Sequence, residues 1–252
     1  MVDISIVIPV KDEAENAAPL AREIVEAMRD LPSPTATEHP GEAQASYEIV
    51  FVDDGSVDGT IAELVSVRSE IPQLRILAHA HCLGQSRALR TGVHAAKSGL
   101  IVTLDGDGQN DPGDIRKLLE GFSGAPESLG MIAGERAKRK DNWSKRWASR
   151  AANALRRWAL NDNAKDTGCG LKAFRRDVFL ALPYFDHMHR YLIALVQREG
   201  FEVRFVPVGH RPRTAGRSKY GNWGRFVAGI SDLIGVMWLK RRFRGASNTK
   251  EI

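Results

Sequence analysis

The chain has 252 residues, enough for one large domain or a domain with an appendage. Hydrophobic residues at 43% allow a sizeable core, and the 27% charged content excludes wholesale disorder. The 36 Lys and Arg exceed the 31 Asp and Glu, a net +5 that points to anionic partners such as phosphates, nucleic acid or lipid head groups.

Taken in chain order, short apolar runs alternate with helical spacing. Ile4–Val10 is β-branched and predicts a buried first strand rather than a signal peptide. Glu15–Arg29 predicts a helix, Glu48–Val52 a strand, Asp58–Glu70 a helix and Leu74–Ala78 a third strand. Gln85–Lys97 predicts a helix, Leu100–Leu104 a fourth strand, and Pro112–Phe122 a helix opened by proline. Met131–Ala133 predicts a short fifth strand. This alternation argues for βαβ units around a mainly parallel sheet, an α/β fold. The proline-rich stretch Leu31–Ser46 between the first helix and second strand is a surface loop.

Beyond Gly134 the alternation breaks. Asn142–Leu160 has helical spacing, Asp166–Gly170 is a turn, and Leu171–Phe174 predicts a strand. Arg176–Leu182 and Arg190–Glu199 predict helices, and Phe201–Val206 a strand ended by Pro207. Gly209–Tyr220 is a basic loop and Trp223–Arg244 a last helix. The chain therefore divides into a catalytic domain, 1–220, and a C-terminal amphipathic helix, 221–252. No run of 18 or more apolar residues suggests a membrane span. Cys82 and Cys169 form no CxxC pair, which fits a reducing, cytoplasmic setting.

Two strands end in carboxylates. One runs Val52-Asp53-Asp54-Gly55-Ser56 and continues to Asp58-Gly59-Thr60; the other runs Asp105-Gly106-Asp107-Gly108-Gln109. Parallel sheets bind ligands beyond the carboxyl ends of their strands. Residues two apart in extended chain share a side, so Asp105, Asp107 and Gln109 present oxygen ligands together. The glycines between them let a ligand come close to the backbone. Hard cations such as Mg²⁺ or Mn²⁺ suit such a set when substrate phosphates complete it.

These segments, with Ile8-Pro9-Val10-Lys11-Asp12-Glu13, Gly134-Glu135-Arg136, Asp166-Thr167-Gly168-Cys169-Gly170 and Arg213 through Ser218-Lys219, resemble the family 2 glycosyltransferases. Within that family they resemble the dolichyl-phosphate mannosyltransferase-like group. It implies a GT-A fold and inverting transfer of a hexose, mannose or glucose, from GDP-mannose or a UDP-hexose to a polyprenyl phosphate. It also implies that Pro9, Lys11 and Glu13 line the nucleotide and that Val52 and Asp54 contact the base. Asp105 and Gly106 would meet the nucleoside part, and Asp107 and Gln109 would hold the metal. Arg136, Arg213 and Lys219 would bind donor and acceptor phosphates. Lys11 departs from the pattern, since an aromatic is common at that position.

The residues fit that chemistry. A phosphate monoester is already an anion near neutral pH, so it needs cations more than a base. From Arg136 to Arg157 lie nine Lys or Arg against one acid, Asp141, with Trp143, Trp147 and Trp158 interleaved. Such a mix suits a membrane surface, and it also fits an ordinary helix with a core face and a solvated face. The loop Arg211–Lys219 reads as a phosphate clamp or as a solvated connector. The last helix carries an apolar face and then Lys240, Arg241, Arg242 and Arg244, which fits either a lipid interface or packing on protein. The expected place is peripheral, on the cytoplasmic face of the membrane. A membrane-protein partner or a homo-oligomer is compatible, and nucleic acid is not expected. Two other readings stay open: transfer to a sugar hydroxyl, for which Asp166 is the candidate base, and a non-enzymatic anionic-lipid binding module.

Overall fold

A computed structural model describes residues 2–32, 44–136, 156, 159–162, 164, 166–212 and 222–245, with the backbone alone for 222–228. Among these residues lie seven strands, β1 (Ile4–Val10), β2 (Tyr47–Asp53), β3 (Leu74–Ala78), β4 (Leu100–Thr103), β5 (Leu129–Arg136), β6 (Lys172–Arg175) and β7 (Glu202–Val208). The helices are α1 (Ala14–Met28), α2 (Thr60–Ser66), α3 (Gln85–Ala95), α4 (Ile115–Phe122), α5 (Arg176–Ala181), α6 (Leu192–Arg198) and α7 (Asn222–Arg242).

The strands form one sheet in the order β3-β2-β1-β4-β6-β5-β7. β1 runs parallel to β2 and β4, and β2 to β3. β6 is antiparallel to both neighbours, β4 and β5, and β7 pairs parallel with β5. The carboxyl ends of β1, β2 and β4 therefore open on the same edge.

The pleat of β1 explains why both faces are covered. Ile4, Ile6, Ile8 and Val10 join one buried cluster with Ala17, Ala21 and Ile24 of α1 and Leu118 of α4. Val7 points the other way and packs with Val50, Val52, Val93 of α3 and Phe179 of α5. Burying each large aliphatic contributes about 1.5–3 kcal/mol, which fixes the register of the central strands. At the amino end of the strands, Glu48 is only 4% exposed. It accepts from Ser5 Oγ at 2.6 Å, Arg75 Nη1 at 2.5 Å and Lys97 N at 2.6 Å, so it ties β1, β2, β3 and the approach to β4 together.

Several boundaries differ from those expected. β5 spans eight residues rather than the three of Met131–Ala133, because β6 and β7 pair on either side and carry its glycines. β7 runs through Pro207 to Val208. It is an edge strand, where a missing N–H is tolerated. The helix expected over Arg190–Glu199 begins at Leu192, after a 3₁₀ turn at Met188–Arg190. The expected helix over 142–160 and most of the loop over 31–46 lie outside the described residues, although Pro32 and Gln44 pair at that loop's base.

α7 packs one face on the rest of the molecule. Val236 is buried, and Leu233, Met237 and Leu239 lean on the same cluster as α6. Tyr191 Oη donates to Gly229 O at 3.1 Å, Arg198 Nε donates to Leu239 O at 3.1 Å, and Lys240 Nζ donates to Leu160 O. No helix among the described residues is long and apolar enough to cross a membrane.

Candidate active site

A cavity of about 490 Å³ opens at the carboxyl ends of β1, β2 and β4. Pro9, Lys11, Glu13, Asp54, Asp105, Gly106 and Asp107 line it, all residues expected at the site. On its β6 side it is closed by residues that sequence reasoning did not single out: Gln85, Lys172, His189 and Arg190.

The two acidic strand ends do different work. In the β2 turn, Asp53 accepts from Ser56 N at 3.0 Å and from Ser56 Oγ. Asp58 accepts from Thr60 N at 2.9 Å and Ala14 N at 3.2 Å. Ser56 Oγ and Thr60 Oγ1 in turn accept from Asp12 N and Glu13 N, both at 2.8 Å. This turn is a knot that fixes the loop after β1. Lys11 is drawn into it, with Nζ donating to Gly55 O at 2.8 Å. Glu13 Oε2 accepts from Asn16 Nδ2 at 2.7 Å and still lines the cavity.

Asp54 reaches the cavity with its oxygens already engaged. His79 Nδ1 at 2.9 Å and Leu83 N at 2.8 Å meet Oδ1; Gly84 N at 2.8 Å and Cys82 Sγ at 3.1 Å meet Oδ2. Burial alone would raise this carboxyl, but the hydrogen bonds to its charged form outweigh that and hold it below its ordinary range. Asp54 thus shapes the 79–84 loop that leads into α3. Val52 is different from what was expected. Its side chain is fully buried in the cluster beneath α3 and does not line the cavity, because it sits one side-chain step back from Asp54 on the same side of the strand.

The β4 loop presents the carboxylates best placed for chemistry. Asp105 N donates to Asn110 Oδ1 at 3.0 Å, and buried Asn110 props the loop from below. Asp107 Oδ1 accepts from Gln109 N at 3.1 Å. Asp105 Oδ1 accepts from Gln85 Nε2 at 3.0 Å. Burial and the neighbouring Asp107 carboxylate both push Asp105 upward, against the pull of Lys172. Two carboxylates facing one cavity suit a divalent cation, which favours oxygen ligands. Among the described residues no group of three or more His, Cys, Asp or Glu is placed to hold a metal ion. Gln109, the third expected ligand, does not line the cavity. Its carbonyl accepts from Arg211 N at 3.0 Å.

Two glycines sit at close approaches. A Cβ on Gly106 would lie 2.5 Å from Val10 Cγ1, and one on Gly170 would lie 2.3 Å from the Asp105 carboxyl. The Gly-rich turn Asp166–Gly170 thus forms the wall against which Asp105 rests.

Arg136, at the end of β5, does not line the cavity. It pairs with Asp166 from that turn, and the pairing raises it further above an already high value. Asp166 also accepts from Gly168 N at 3.2 Å, as a turn cap would. Arg211, expected in the phosphate clamp, is pinned instead by Glu23 at 2.5 Å and Asp111 at 2.9 Å. Arg213 and Lys219 lie outside the described residues, as do Trp143, Trp147, Trp158 and most of the basic run.

Comparison with known proteins adds to this geometry. Residues 5–182 match the family described as Glycosyl transferase family 2. The dodecaprenyl-phosphate galacturonate synthase of Rhizobium johnstonii is 31% identical over 246 residues, covering 95% of this chain and 68% of that protein. The undecaprenyl-phosphate 4-deoxy-4-formamido-L-arabinose transferase of Sodalis glossinidius is 33% identical over 219 residues, covering 86% of this chain and 62% of that protein. The chain thus spans less than two thirds of the second relative's length. Among solved structures, glucosyl-3-phosphoglycerate synthase from Mycobacterium tuberculosis, in complex with Mg²⁺ and uridine diphosphate, aligns with a TM-score of 0.66. That alignment covers 98% of this chain and 81% of the other, at 14% identity, a likeness of fold.

Proposed function

The chain belongs to glycosyl transferase family 2, and from that premise we propose that it moves a sugar from a nucleoside diphosphate onto the phosphate of a polyprenyl lipid, with inversion at the anomeric carbon. One observation carries the reading: Asp105 and Asp107 face a single cavity at the carboxyl edge of the parallel strands, beside Lys11, Glu13 and Asp54. In the reaction, an acceptor phosphate oxygen bonds to the anomeric carbon. The bond from that carbon to the diphosphate oxygen breaks, and its electron pair leaves with the nucleoside diphosphate.

In this reading Pro9, Lys11 and Glu13 hold the nucleotide on the β1 side, and Asp54 keeps the 79–84 loop in place beside it. Asp105, Asp107 and Gln109 would hold Mg²⁺ or Mn²⁺, which would supply charge neutralisation for a departing diphosphate. Arg136, Arg213 and Lys219 draw the two anionic reactants together. The acceptor phosphate brings its own negative charge, so no carboxylate base is needed. This agrees with the engagement of Asp166 by Arg136 and Gly168.

The names of the relatives support a polyprenyl phosphate acceptor. The sugar is a neutral hexose, with mannose or glucose favoured by resemblance, or one of the modified and acidic sugars named for the relatives. The catalytic unit ends near residue 220, and α7 rests peripherally on the cytoplasmic face of a membrane. The test is transfer of labelled sugar to undecaprenyl phosphate in detergent with added Mn²⁺. Asp107→Ala is expected to lower turnover by about 100-fold or more, as for loss of a group that stabilises developing charge. Full activity in that variant, or label passing only to sugar hydroxyls, would overturn the reading.

A further inference from the structure

The β6 side of the cavity is cationic, and the reaction as described leaves that charge unused. Along the sheet, β1 and β2 carry the nucleotide side, β4 carries Asp105 and Asp107, and β6 lies beyond them. A donor laid across this edge with its diphosphate at Asp105 and Asp107 puts its sugar against β6 and the 188–190 turn.

Three residues meet it there. Lys172 opens β6, is 5% exposed, and donates from Nζ to Cys169 O. Burial pushes its ammonium down, while Cys169, Asp105 and Asp166 pull it back up, so part of its charge is answered by the protein. Arg190 lines the same cavity and, among the described residues, has no carboxylate partner. His189 lies within the field of both cations. Its Nδ1 meets Ser86 Oγ at 2.8 Å. Burial, Arg190 and Lys172 together push it down to about 3, so its ring is neutral at physiological pH.

A neutral hexose would cover Arg190 without any counter-charge, which is costly for a cation leaving water. A carboxylate would match the planar guanidinium with two hydrogen bonds. The acceptor phosphate fits less well here, because Lys172 is nearly enclosed and a phosphate tethered to a long lipid has to keep a path to the outside. We propose that Arg190, supported by Lys172 and the His189 ring, binds the carboxylate of a uronic-acid sugar on the donor, and so sets the sugar specificity of the site. This rests on the transferase reading above and names its donor class.

The experiment compares donors that differ only in that carboxylate. The full chain, with Mn²⁺, is titrated calorimetrically with UDP-glucose against UDP-glucuronate, UDP-galactose against UDP-galacturonate, and GDP-mannose against GDP-mannuronate. In the pair or pairs whose base the protein accepts, the uronate is expected to bind at least about tenfold tighter. Arg190→Gln should shrink that preference to about twofold or less while leaving affinity for the free nucleoside diphosphate unchanged, and Arg190→Lys should keep part of it. Equal affinity within every accepted pair overturns the proposal, and so does a wild-type preference for the neutral member. If Arg190→Gln weakens undecaprenyl phosphate instead and spares donor preference, the subsite serves the acceptor and the proposal falls. The wild-type comparison decides the matter even if the variant does not fold. Failure of every nucleotide to bind would sink the transferase reading itself, which is a different result from binding without a uronate preference.

Discussion

Arg136 holds Asp166 through two hydrogen bonds, Nε to Oδ2 at 2.5 Å and Nη2 to Oδ1 at 2.7 Å. The pair links the end of β5 to the turn that walls the cavity. It also separates two chemistries, because a hydroxyl acceptor would need Asp166 as its base. Asp166→Asn keeps one acceptor oxygen for Arg136 and removes any basicity. With a phosphate acceptor, kcat is expected to stay within about tenfold of the parent, whereas loss of a general base costs about 10²–10⁴-fold. Steady-state kinetics with polyprenyl phosphate and with soluble sugars measures the difference.

Gly170 makes a second prediction from packing alone. Its carbonyl accepts from Thr103 Oγ1 at 2.8 Å, so the backbone there cannot retreat when a methyl group meets the Asp105 carboxyl. Gly170→Ala should displace Asp105 rather than the turn. Overpacking of this kind costs about 1–3 kcal/mol. The expected result is a melting point lowered by a few degrees with Mn²⁺-dependent transfer cut by about tenfold or more, since small misplacements at a reacting centre are expensive. Unchanged activity in a well-folded variant would show that Asp105 has no fixed role.

Much of this arrangement was legible in the residues. The β-branched runs gave β1, β2 and β4, and the order of acidic strand ends located the cavity edge. The rest was hidden for physical reasons. Asp53 and Asp54 look equivalent in sequence, yet the pleat sends one into a turn knot and the other to the cavity wall. Val52 carries the family resemblance but lies two residues back from Asp54, under α3. Lys172, His189 and Arg190 reach the site only because β6 inserts antiparallel between β4 and β5 and because α6 starts two residues later than its periodicity suggested. Long-range strand order leaves no local trace in a single chain.

Acid should weaken the fold in a defined window. Glu48 and Asp54 are both subject to upward pressure from burial, and both are nevertheless held low by hydrogen bonds to the charged form. A carboxyl held low when folded stabilises the protein above its unfolded value, about 4, and that stability is lost as pH falls through the folded value. Melting temperature is therefore expected to start falling below about pH 6.5, where the His189 ring stays neutral in the fold but is protonated on unfolding, and to drop more steeply below about pH 4. Glu48→Gln should lower the plateau, since an amide cannot accept from Ser5, Arg75 and Lys97 together, and should make the acid slope shallower. Because Glu48 lies at the opposite end of the strands from the cavity, donor affinity should not change. Thermal melts across pH, with nucleotide titration at pH 7, check both parts.

The outer face of α7 yields the last prediction. Val236 faces inward, while Ile230, Ile234 and Trp238, four residues apart, are 46%, 62% and 57% exposed. The Arg242 guanidinium lies 5.8 Å from the Trp238 ring centroid, and exposed Arg241 shares the same last turn. The side chains of Trp223, Phe226 and Val227, which helical spacing puts in the same apolar series, lie outside the described residues. An apolar stripe ending in cations, held to the body by Tyr191 and Arg198, has the form of a surface that lies in a head-group layer. Ile234→Glu with Trp238→Glu should abolish flotation of the protein on vesicles containing phosphatidylglycerol. It should change stability by no more than about 1 kcal/mol, because exposed positions carry little folding energy. Donor binding should persist, since neither Ile234 nor Trp238 lines the cavity. A double variant that still floats removes α7 from the membrane reading. A variant that stays folded but loses a dimer seen by size-exclusion chromatography assigns the same stripe to subunit contact instead.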